Sequence, residues 1–216
     1  VELLEWVGVD ARERPQTAVT QVKLGRALAR AEGTPPAIDR GSIAFRSGQA
    51  SEASESGEGA ALRPLDEDRV RRAFVQLASA LGGLHGQGLV HRDVKPSNVR
   101  VTPEGRVVLL DFGLVAPVAS DEAAIVGTPA YMAPEQARGI AVADADAYAF
   151  GVVLYEALTG RLPFTGTAMQ LLLRKQTELP PRVRSRVPEV SEDLDELVAQ
   201  LLDPEPSRRP TLLEAR

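Results

Sequence analysis

The sequence predicts an α+β fold that is mainly α-helical and carries one short β-hairpin. Apolar residues recur at helical spacing over 66–85, and the apolar segment at 144–159 predicts a second, buried helix. Between these helices, β-rich runs at 98–102 and 106–110 are joined by Pro-Glu-Gly at 103–105, which favours a tight turn. We therefore expect a helical core with a small hairpin packed beside it.

The composition is that of a globular protein with a sizeable core. Of the 216 residues, 44% are hydrophobic and 25% are charged, and the net charge is −5. Nucleic-acid binding needs clustered Lys and Arg, so the acidic balance argues against such a partner. The absence of cysteine excludes disulfides and thiolate metal sites and fits a cytoplasmic protein. The longest apolar run, 147–158, is too short for a membrane span, and the acidic first residues do not form a signal peptide.

Three zones of the chain differ in composition. Residues 1–31 begin with an apolar segment and contain a possible helix at 19–31. Residues 32–64 are rich in Gly, Ser, Pro, Ala and Glu. We expect them to be a disordered insertion, because they bury too little apolar surface to offset their ordering entropy. Residues 65–216 are expected to fold continuously.

The first helix of this folded zone has a predicted start and end. Asp66 is placed to cap it, and Gly86 and Gly88 end it. His85 lies close to this end, where we expect a favourable C-terminal charge or a solvated side chain. The predicted buried face consists of Val70, Phe74, Leu77, Leu81 and Leu84.

Three further helices are predicted after a long loop. The apolar helix at 144–159 ends at Gly160, a second helix spans 167–176, and a third spans 192–202 behind Ser191 as its cap. The loop that precedes them is longer than most connections in a compact domain, which indicates a functional role.

A series of short motifs carries the functional signal. The motifs are HRDVKPSN at 91–98, DFG at 111–113, GTPAYMAPE at 127–135, DADAYAFG at 144–151 and DPEPSRRP at 203–210. In order and setting the series resembles the eukaryotic-type (Hanks-type) serine/threonine protein kinases over residues 65–216. The resemblance implies the C-terminal lobe of a protein kinase, whose hairpin carries the catalytic and DFG loops. Below, residues 91–98 are called the HRD loop and residues 127–135 the APE segment.

The residue types in these motifs suit phosphoryl transfer, which depends on positioning and on charge neutralisation. Asp111 and Asn98 supply two oxygen donors for Mg²⁺, and the hairpin between them brings both ends to one site. Asp93, on the same loop as Asn98, is placed to accept the proton of a substrate hydroxyl. Lys95 can neutralise the moving phosphate. The implied cofactors are ATP and Mg²⁺, and the implied partner is a protein substrate with Ser or Thr.

Other roles are implied by the resemblance alone. Lys95, together with Thr128, marks Ser/Thr rather than Tyr specificity. Asp146 would hold the backbone of the HRD loop. Glu135 and Arg209 would form a buried ion pair that fixes the APE segment to the lobe.

The DFG motif also has implied packing partners. His91 and Phe112, which precedes Gly113, would stack in the regulatory spine of the lobe, so His91 is a packing residue and not a base. Ser120 is the one hydroxyl residue between Gly113 and Gly127, and it is either the site of activating phosphorylation or an ordinary loop serine.

An alternative mode of activation needs no phosphate. We expect Asp121 or Glu122 to pair with Arg92 and to order the loop in that way.

The chain departs from the family pattern in two places. No G-x-G-x-x-G motif precedes Lys23, which we interpret as a surface helix residue, and residues 1–7 resemble the hinge segment. We therefore expect the N-terminal lobe to be missing from this chain and kinase activity of the chain alone to be negligible. Arg100 stands where the family usually has Leu beneath adenine, and it either stacks on the base or weakens nucleotide binding.

Two other function classes were weighed against the kinase. A pseudokinase or truncated remnant that acts as a protein-binding module is favoured by Arg100 and by the missing lobe. The complete polar set of Asp93, Lys95, Asn98 and Asp111 favours the enzyme. A small-molecule phosphotransferase is disfavoured by the APE segment, which forms the peptide-binding floor in protein kinases.

Overall fold

A computed structural model describes most of the chain. The described residues are 1–9, 66–118, 127–140 and 142–215. The predicted helix at 19–31, the insertion at 32–64, Lys23, Ser120, Asp121 and Glu122 lie outside them. Within the described part, no helix is both long and apolar enough to cross a membrane.

The described residues form a mainly helical α+β fold, as predicted. The helices are α1 (Leu3–Val7), α2 (Glu67–His85), α3 (Ala143–Thr159), α4 (Ala168–Thr177) and α5 (Glu192–Leu201). The strands are β1 (Leu89–Val90), β2 (Val99–Val101), β3 (Val107–Leu109) and β4 (Ala116–Pro117).

Helix α3 lies at the centre of the core. Every residue from Ala145 to Leu158 is buried, as expected for a helix that is apolar on all sides. It packs against α2, where the Phe74 and Phe150 rings meet edge to face with centroids 5.3 Å apart. Gly160 ends the helix in the left-handed conformation (φ 69°), so the predicted end is confirmed.

Helix α2 begins and ends as predicted. The Asp66 carboxylate accepts a hydrogen bond from the Arg69 amide at 2.9 Å, which caps the first turn. Val70, Phe74, Leu77 and Leu81 are buried, whereas Leu84 is half-buried near the C-terminal end.

The hairpin is confirmed, and a second strand pair accompanies it. In the hairpin β2 and β3 are antiparallel, with Val99 opposite Leu109 and Val101 opposite Val107. Strands β1 and β4 were not predicted; each is only two residues long, and they pair antiparallel with each other. The HRD loop connects β1 to β2, and the DFG motif lies between β3 and β4. The two strand pairs therefore place the HRD loop and the DFG motif side by side.

Helices α4 and α5 show two different starts. Thr167 and Gln170 form a reciprocal capping box at the start of α4. Ser191 occupies the N-cap position of α5, but its side chain caps no amide. Its hydroxyl instead accepts a hydrogen bond from Arg71 of α2 at 2.8 Å. The prediction that Ser191 caps α5 is therefore wrong in its chemistry, because a cation from a neighbouring helix uses the hydroxyl.

The first residues of the chain lie along the hairpin. The Val1 ammonium donates to the Val101 carbonyl at 3.0 Å, and the Val101 amide donates to the Val1 carbonyl at 2.9 Å. Glu2 forms a β-bridge with Arg100. An extended segment followed by the short helix α1 thus lies beside β2, and that this segment is the hinge stays a prediction.

A close contact of α3 with α5 gives a stability prediction at Gly151. A Cβ atom at this position of α3 would lie 2.7 Å from Leu201 Cβ and 3.2 Å from Leu202 Cδ2. We expect Gly151→Ala to lower the free energy of unfolding by about 1–3 kcal/mol, because the two helices must separate. Gly83→Ala is the matched control, since its Cβ would meet no atom within 4 Å, and it should stabilise α2 by about 0.5–1 kcal/mol. Urea unfolding of both variants measures the difference, and equal effects would contradict the contact.

Candidate active site

A buried carboxylate holds the start of the HRD loop. Asp146, in the first turn of α3, is 1% exposed. Its Oδ2 accepts the His91 amide at 2.7 Å, and its Oδ1 accepts the Arg92 amide at 2.8 Å. Two charge-assisted hydrogen bonds to successive amides fix the direction of the backbone as it enters the loop.

His85 shares this carboxylate, which corrects the expectation of a solvated side chain. Its Nε2 donates to Asp146 Oδ2 at 2.8 Å, and the side chain is 16% exposed. The reason is geometric, because α2 packs directly on α3. One signal was available in the sequence, since Leu77, Leu81 and His85 are spaced by four residues and therefore share one helix face.

Arg92 connects three parts of the site through an unusual backbone conformation. Its φ of 67° lies in the left-handed region, which turns the chain sharply. Its Nε donates to the Leu114 carbonyl at 2.7 Å, and its own carbonyl accepts from Gln136 Nε2 at 2.6 Å. Gly127 (φ 125°) packs here, since a Cβ atom would lie 2.9 Å from both the Arg92 oxygen and Gln136 Nε2. Only glycine fits at this contact.

Asp93 is the centre of a buried polar network. Its Oδ2 accepts from Lys95 Nζ at 2.6 Å and from Asn98 Nδ2 at 3.2 Å. Its Oδ1 accepts from the Thr128 hydroxyl at 2.9 Å, and Lys95 Nζ also donates to Thr128 Oγ1 at 3.1 Å. All four residues are at most 6% exposed. The structure thus joins the HRD loop to the APE segment through one carboxylate.

The two oxygen donors expected for a metal lie at the neighbouring ends of the hairpin. The Asn98 carbonyl accepts the Leu110 amide at 2.8 Å, which places the residue after Leu110, Asp111, next to Asn98 along the sheet. Both side-chain hydrogen bonds of Asn98 use Nδ2, to the carbonyl and the carboxylate of Asp93, so that Oδ1 can serve as a ligand. Asp111 is exposed, and in the described part of the chain its Oδ1 accepts a hydrogen bond from the Gly113 amide at 3.2 Å. One neutral and one anionic oxygen fit Mg²⁺, which prefers few protein ligands and completes its shell with phosphate oxygens.

His91 and Phe112 are in ring contact. Their centroids lie 5.6 Å apart at an interplanar angle of 64°. His91 is fully buried and its Nε2 lies 3.1 Å from the Leu110 carbonyl, whereas Phe112 is 55% exposed. The Phe112 ring therefore covers one side of the His91 ring, and the side of Phe112 that faces away from His91 is exposed to solvent.

Arg100 lies on the outer face of the hairpin. Val99 and Val101 point into the core, so the alternation of the strand directs Arg100 away from it. Its guanidinium is 3.9 Å from the Glu2 carboxylate, and the side chain is 47% exposed. The residue thus lies between the hinge-like start and the hairpin.

A buried ion pair fixes the end of the APE segment. Arg209 donates through Nη1 and Nη2 to the two Glu135 oxygens, at 2.6 and 2.9 Å. The guanidinium also donates to the carbonyls of Asp144, Asp203 and Pro204. Since all of its donors are used, this buried charge is fully compensated.

Lys175, on α4, is a further residue that sequence reasoning missed. Its ammonium donates to the carbonyls of Pro129, Ala130 and Met132 at 2.8, 2.6 and 2.9 Å. The side chain is 1% exposed. Burial lowers the pKa of Lys175 from 10.5 to about 7, while the three carbonyls favour the charged form. Its spacing of four residues from the buried Leu171 was the available signal.

Known proteins can now be compared with this arrangement. A family model described as a protein kinase domain matches residues 51–216. The chain belongs to the protein kinase family. The fold class and the family that the sequence analysis inferred are therefore confirmed.

Three curated relatives of this kinase-family chain are bacterial proteins. The serine/threonine-protein kinase pkn3 of Myxococcus xanthus is 39% identical over 168 residues, which cover 70% of this chain and 31% of that protein. PknL of Mycobacterium tuberculosis is 42% identical over 155 residues, covering 66% and 39%. PknB of the same species is 36% identical over 156 residues, covering 68% and 25%. The chain thus spans about a quarter to two fifths of the length of these relatives.

The buried ion pair gives a stability prediction. Arg209→Met leaves the Glu135 carboxylate buried without its partner, so we expect the free energy of unfolding to fall by about 3–5 kcal/mol. Arg174→Met is the matched control, because the ion pair of Arg174 with Glu178 is exposed and is worth at most about 1 kcal/mol. Chemical denaturation measures both, and a loss below about 1 kcal/mol for Arg209→Met would contradict the prediction.

The lowered pKa of Lys175 gives a pH prediction. Between pH 7 and 10.5 the unfolded chain keeps the proton that the folded chain has lost. The unfolded state then binds more protons, so stability rises with pH in this window by about 1.4 kcal/mol per pH unit. Below the window both states are protonated and the contribution is constant. Unfolding of the unaltered chain and of Lys175→Met, measured from about pH 6 to about pH 9, isolates the effect; equal pH slopes would contradict it.

Proposed function

We propose that this chain supplies the catalytic loop and peptide-binding segment of a serine/threonine protein kinase, which transfers the γ-phosphoryl group of ATP to protein Ser or Thr. The network around Asp93 is the observation that carries the proposal. It holds the Asp93 carboxylate, the Lys95 ammonium group and the Thr128 hydroxyl within hydrogen-bonding distance of one another. These three residues are at most 6% exposed. A scaffold has no need of a buried polar cluster that costs desolvation.

Each polar group has a task in this reaction. Asp93 accepts the proton of the substrate hydroxyl as the hydroxyl attacks. Thr128 and Asn98 hold the carboxylate from two sides and fix its direction. Lys95 lies 2.6 Å from Asp93 and supplies positive charge where the transferred group passes. The pairing of Lys95 with Thr128 supports Ser/Thr rather than Tyr as the acceptor.

Asn98 and Asp111 are the proposed Mg²⁺ ligands. Held by these two residues, Mg²⁺ would neutralise the negative charge of the phosphates. The chain's contribution is to present the Asn98 amide oxygen and the Asp111 carboxylate at adjacent ends of one hairpin. Arg100, beside Glu2, is proposed to lie at the adenine end of the nucleotide.

The remaining proposals concern regulation and location. Arg92 is proposed to bind the loop that contains Ser120, Asp121 and Glu122. The acidic net charge and the lack of cysteine support a cytoplasmic protein without a nucleic-acid partner.

A binding module without phosphotransfer is the second candidate. One observation favours it: Arg100, at the position where the family usually has Leu, is held near Glu2 at 3.9 Å. The two candidates differ in the importance of Asp93, which only the enzyme needs for turnover.

The enzymatic proposal is tested with the protein encoded by the complete reading frame that contains this chain. We expect it to transfer phosphate from radiolabelled Mg·ATP to myelin basic protein. Asp93→Asn should lower kcat by about 10²–10⁴-fold, because the proton acceptor is lost. Asp68→Asn, which changes an exposed acid of α2, is the matched control and should leave kcat unchanged.

The outcomes separate the candidates. Equal rates for the unaltered protein and for Asp93→Asn, or no transfer at all with ATP present, would overturn the enzymatic proposal.

The 216-residue chain alone is expected to transfer negligible phosphate, because its sequence contains no G-x-G-x-x-G motif for a glycine-rich phosphate loop. Robust turnover by the chain alone would refute that expectation and support phosphotransfer.

A further inference from the structure

Lys175 holds its three acceptor carbonyls at one point. Pro129, Ala130 and Met132 lie within four residues of one another, and each directs its oxygen at the same ammonium group. Backbone carbonyls of an extended strand alternate in direction, so this convergence requires a turn. The amides of Tyr131 and Met132 close that turn by donating to the Thr128 carbonyl at 2.9 and 3.0 Å.

A buried cation is commonly compensated by a carboxylate, which stabilises the fold and leaves backbone direction free. In the described part of the chain the hydrogen bonds of Lys175 are made to backbone carbonyls alone. The Tyr148 ring of α3 lies 5.5 Å from the ammonium on another side. The charge is therefore compensated by the conformation of the APE segment itself. A change in that conformation would leave the cation without its acceptors.

The same turn reaches the reacting groups at its other end. Thr128 closes the turn through its carbonyl, and its hydroxyl donates to Asp93 Oδ1 at 2.9 Å. Thr128, Ala130 and Met132 are separated from one another by one residue each, so the contact with Asp93 and the contacts with Lys175 lie close together along the chain. One short turn therefore connects the Asp93 carboxylate with α4, and it is held at both ends.

We propose that Lys175 is a positioning residue that sets the course of the bound substrate peptide relative to Asp93, by fixing the carbonyls of Pro129, Ala130 and Met132. The inference rests on the proposed function, in which the APE segment forms the floor under the phosphoacceptor. The described hydrogen bonds of Lys175 are with the APE segment and not with Asp93, so Lys175 acts through that segment.

This role has a defined kinetic consequence. Lys175→Met retains the length of the side chain and removes its donors, so three buried carbonyls lose their partner. The segment then samples other conformations, and peptide binding weakens. Asp93 keeps its contacts with Lys95 and Asn98, so that of its three side-chain partners only Thr128 belongs to the turn that loosens. The KM for the phosphoacceptor should therefore rise by about tenfold or more, while kcat and the KM for ATP change less than about threefold.

The first experiment needs no catalysis. Amide hydrogen exchange is followed by NMR below pH 7, where Lys175 of the folded chain keeps its proton. The samples are the unaltered 216-residue chain, Lys175→Met and Arg174→Met. Arg174→Met is the matched control, since it removes a cation one position away on α4 that pairs with Glu178. We expect the Tyr131 and Met132 amides to exchange at least about tenfold faster in Lys175→Met only, with α3 amides unchanged.

The second experiment measures phosphate transfer to myelin basic protein by the complete protein carrying the same variants.

In the first experiment, unchanged amide hydrogen exchange at Tyr131 and Met132, or faster exchange across α2 and α3 as well, would overturn the proposal. A variant that does not fold is replaced by Lys175→Gln, which keeps two N–H donors. If neither variant folds, the proposal is also overturned, because Lys175 would then be required for folding of the whole domain and not for positioning the APE segment alone.

The two proposals fail in different ways. Amide hydrogen exchange at Tyr131 and Met132 could change as expected while the unaltered complete protein transfers no phosphate. In that case the proposed function fails, but the conclusion that Lys175 fixes the APE segment is retained. If phosphate is transferred and the KM for myelin basic protein is the same in Lys175→Met, the positioning role fails alone.

Discussion

The carboxylate of Asp146 is the contact on which the rest of the site depends. It carries a charge into the core, and the amides of His91 and Arg92 together with the His85 ring compensate that charge. Its place in the first turn of α3 adds the favourable end of the helix dipole. Because these two amides are fixed, the chain can make the left-handed turn at Arg92 that directs the following residues toward the APE segment. Loss of this carboxylate would leave two buried amides and a strained turn with no compensation.

The APE segment is held by a second set of contacts that are independent of Asp146. Glu135 is paired with Arg209 at one end, and the turn after Thr128 is bound by Lys175. In the middle, the Tyr131 hydroxyl donates to Glu156 of α3 at 2.8 Å. The segment is thus fixed by cations and carboxylates that α3, α4 and the C-terminal residues supply. The HRD loop and the APE segment meet at Asp93 only because each is positioned separately on the same central helix.

Sequence patterns predicted the elements whose signals are local. Helix α2 follows from its periodicity and from the Asp66 cap, and α3 follows from its apolar run and from Gly160. The hairpin follows from its turn residues and branched side chains. The motifs predicted one active site that contains Asp93, Lys95, Asn98 and Thr128. In the structure these four side chains form one hydrogen-bond network. Contacts between distant parts of the chain could not be predicted. Strands β1 and β4 are too short to show alternation, and the partners of His85 and Lys175 lie 61 and 43–46 positions away in sequence.

The two strand pairs and the Gly127 contact have a consequence for how members of such a family diverge. The stretch at 119–126 begins just after β4, which is paired with β1, and it ends at Gly127, which packs on the Arg92 carbonyl. The described residues at both ends of this stretch are therefore anchored to the lobe. Doubling the length of such a connection costs only about 0.6 kcal/mol in closure entropy. Insertions, deletions and new recognition sequences can accumulate there at little thermodynamic cost, so regulatory input can evolve separately from the chemistry that it controls.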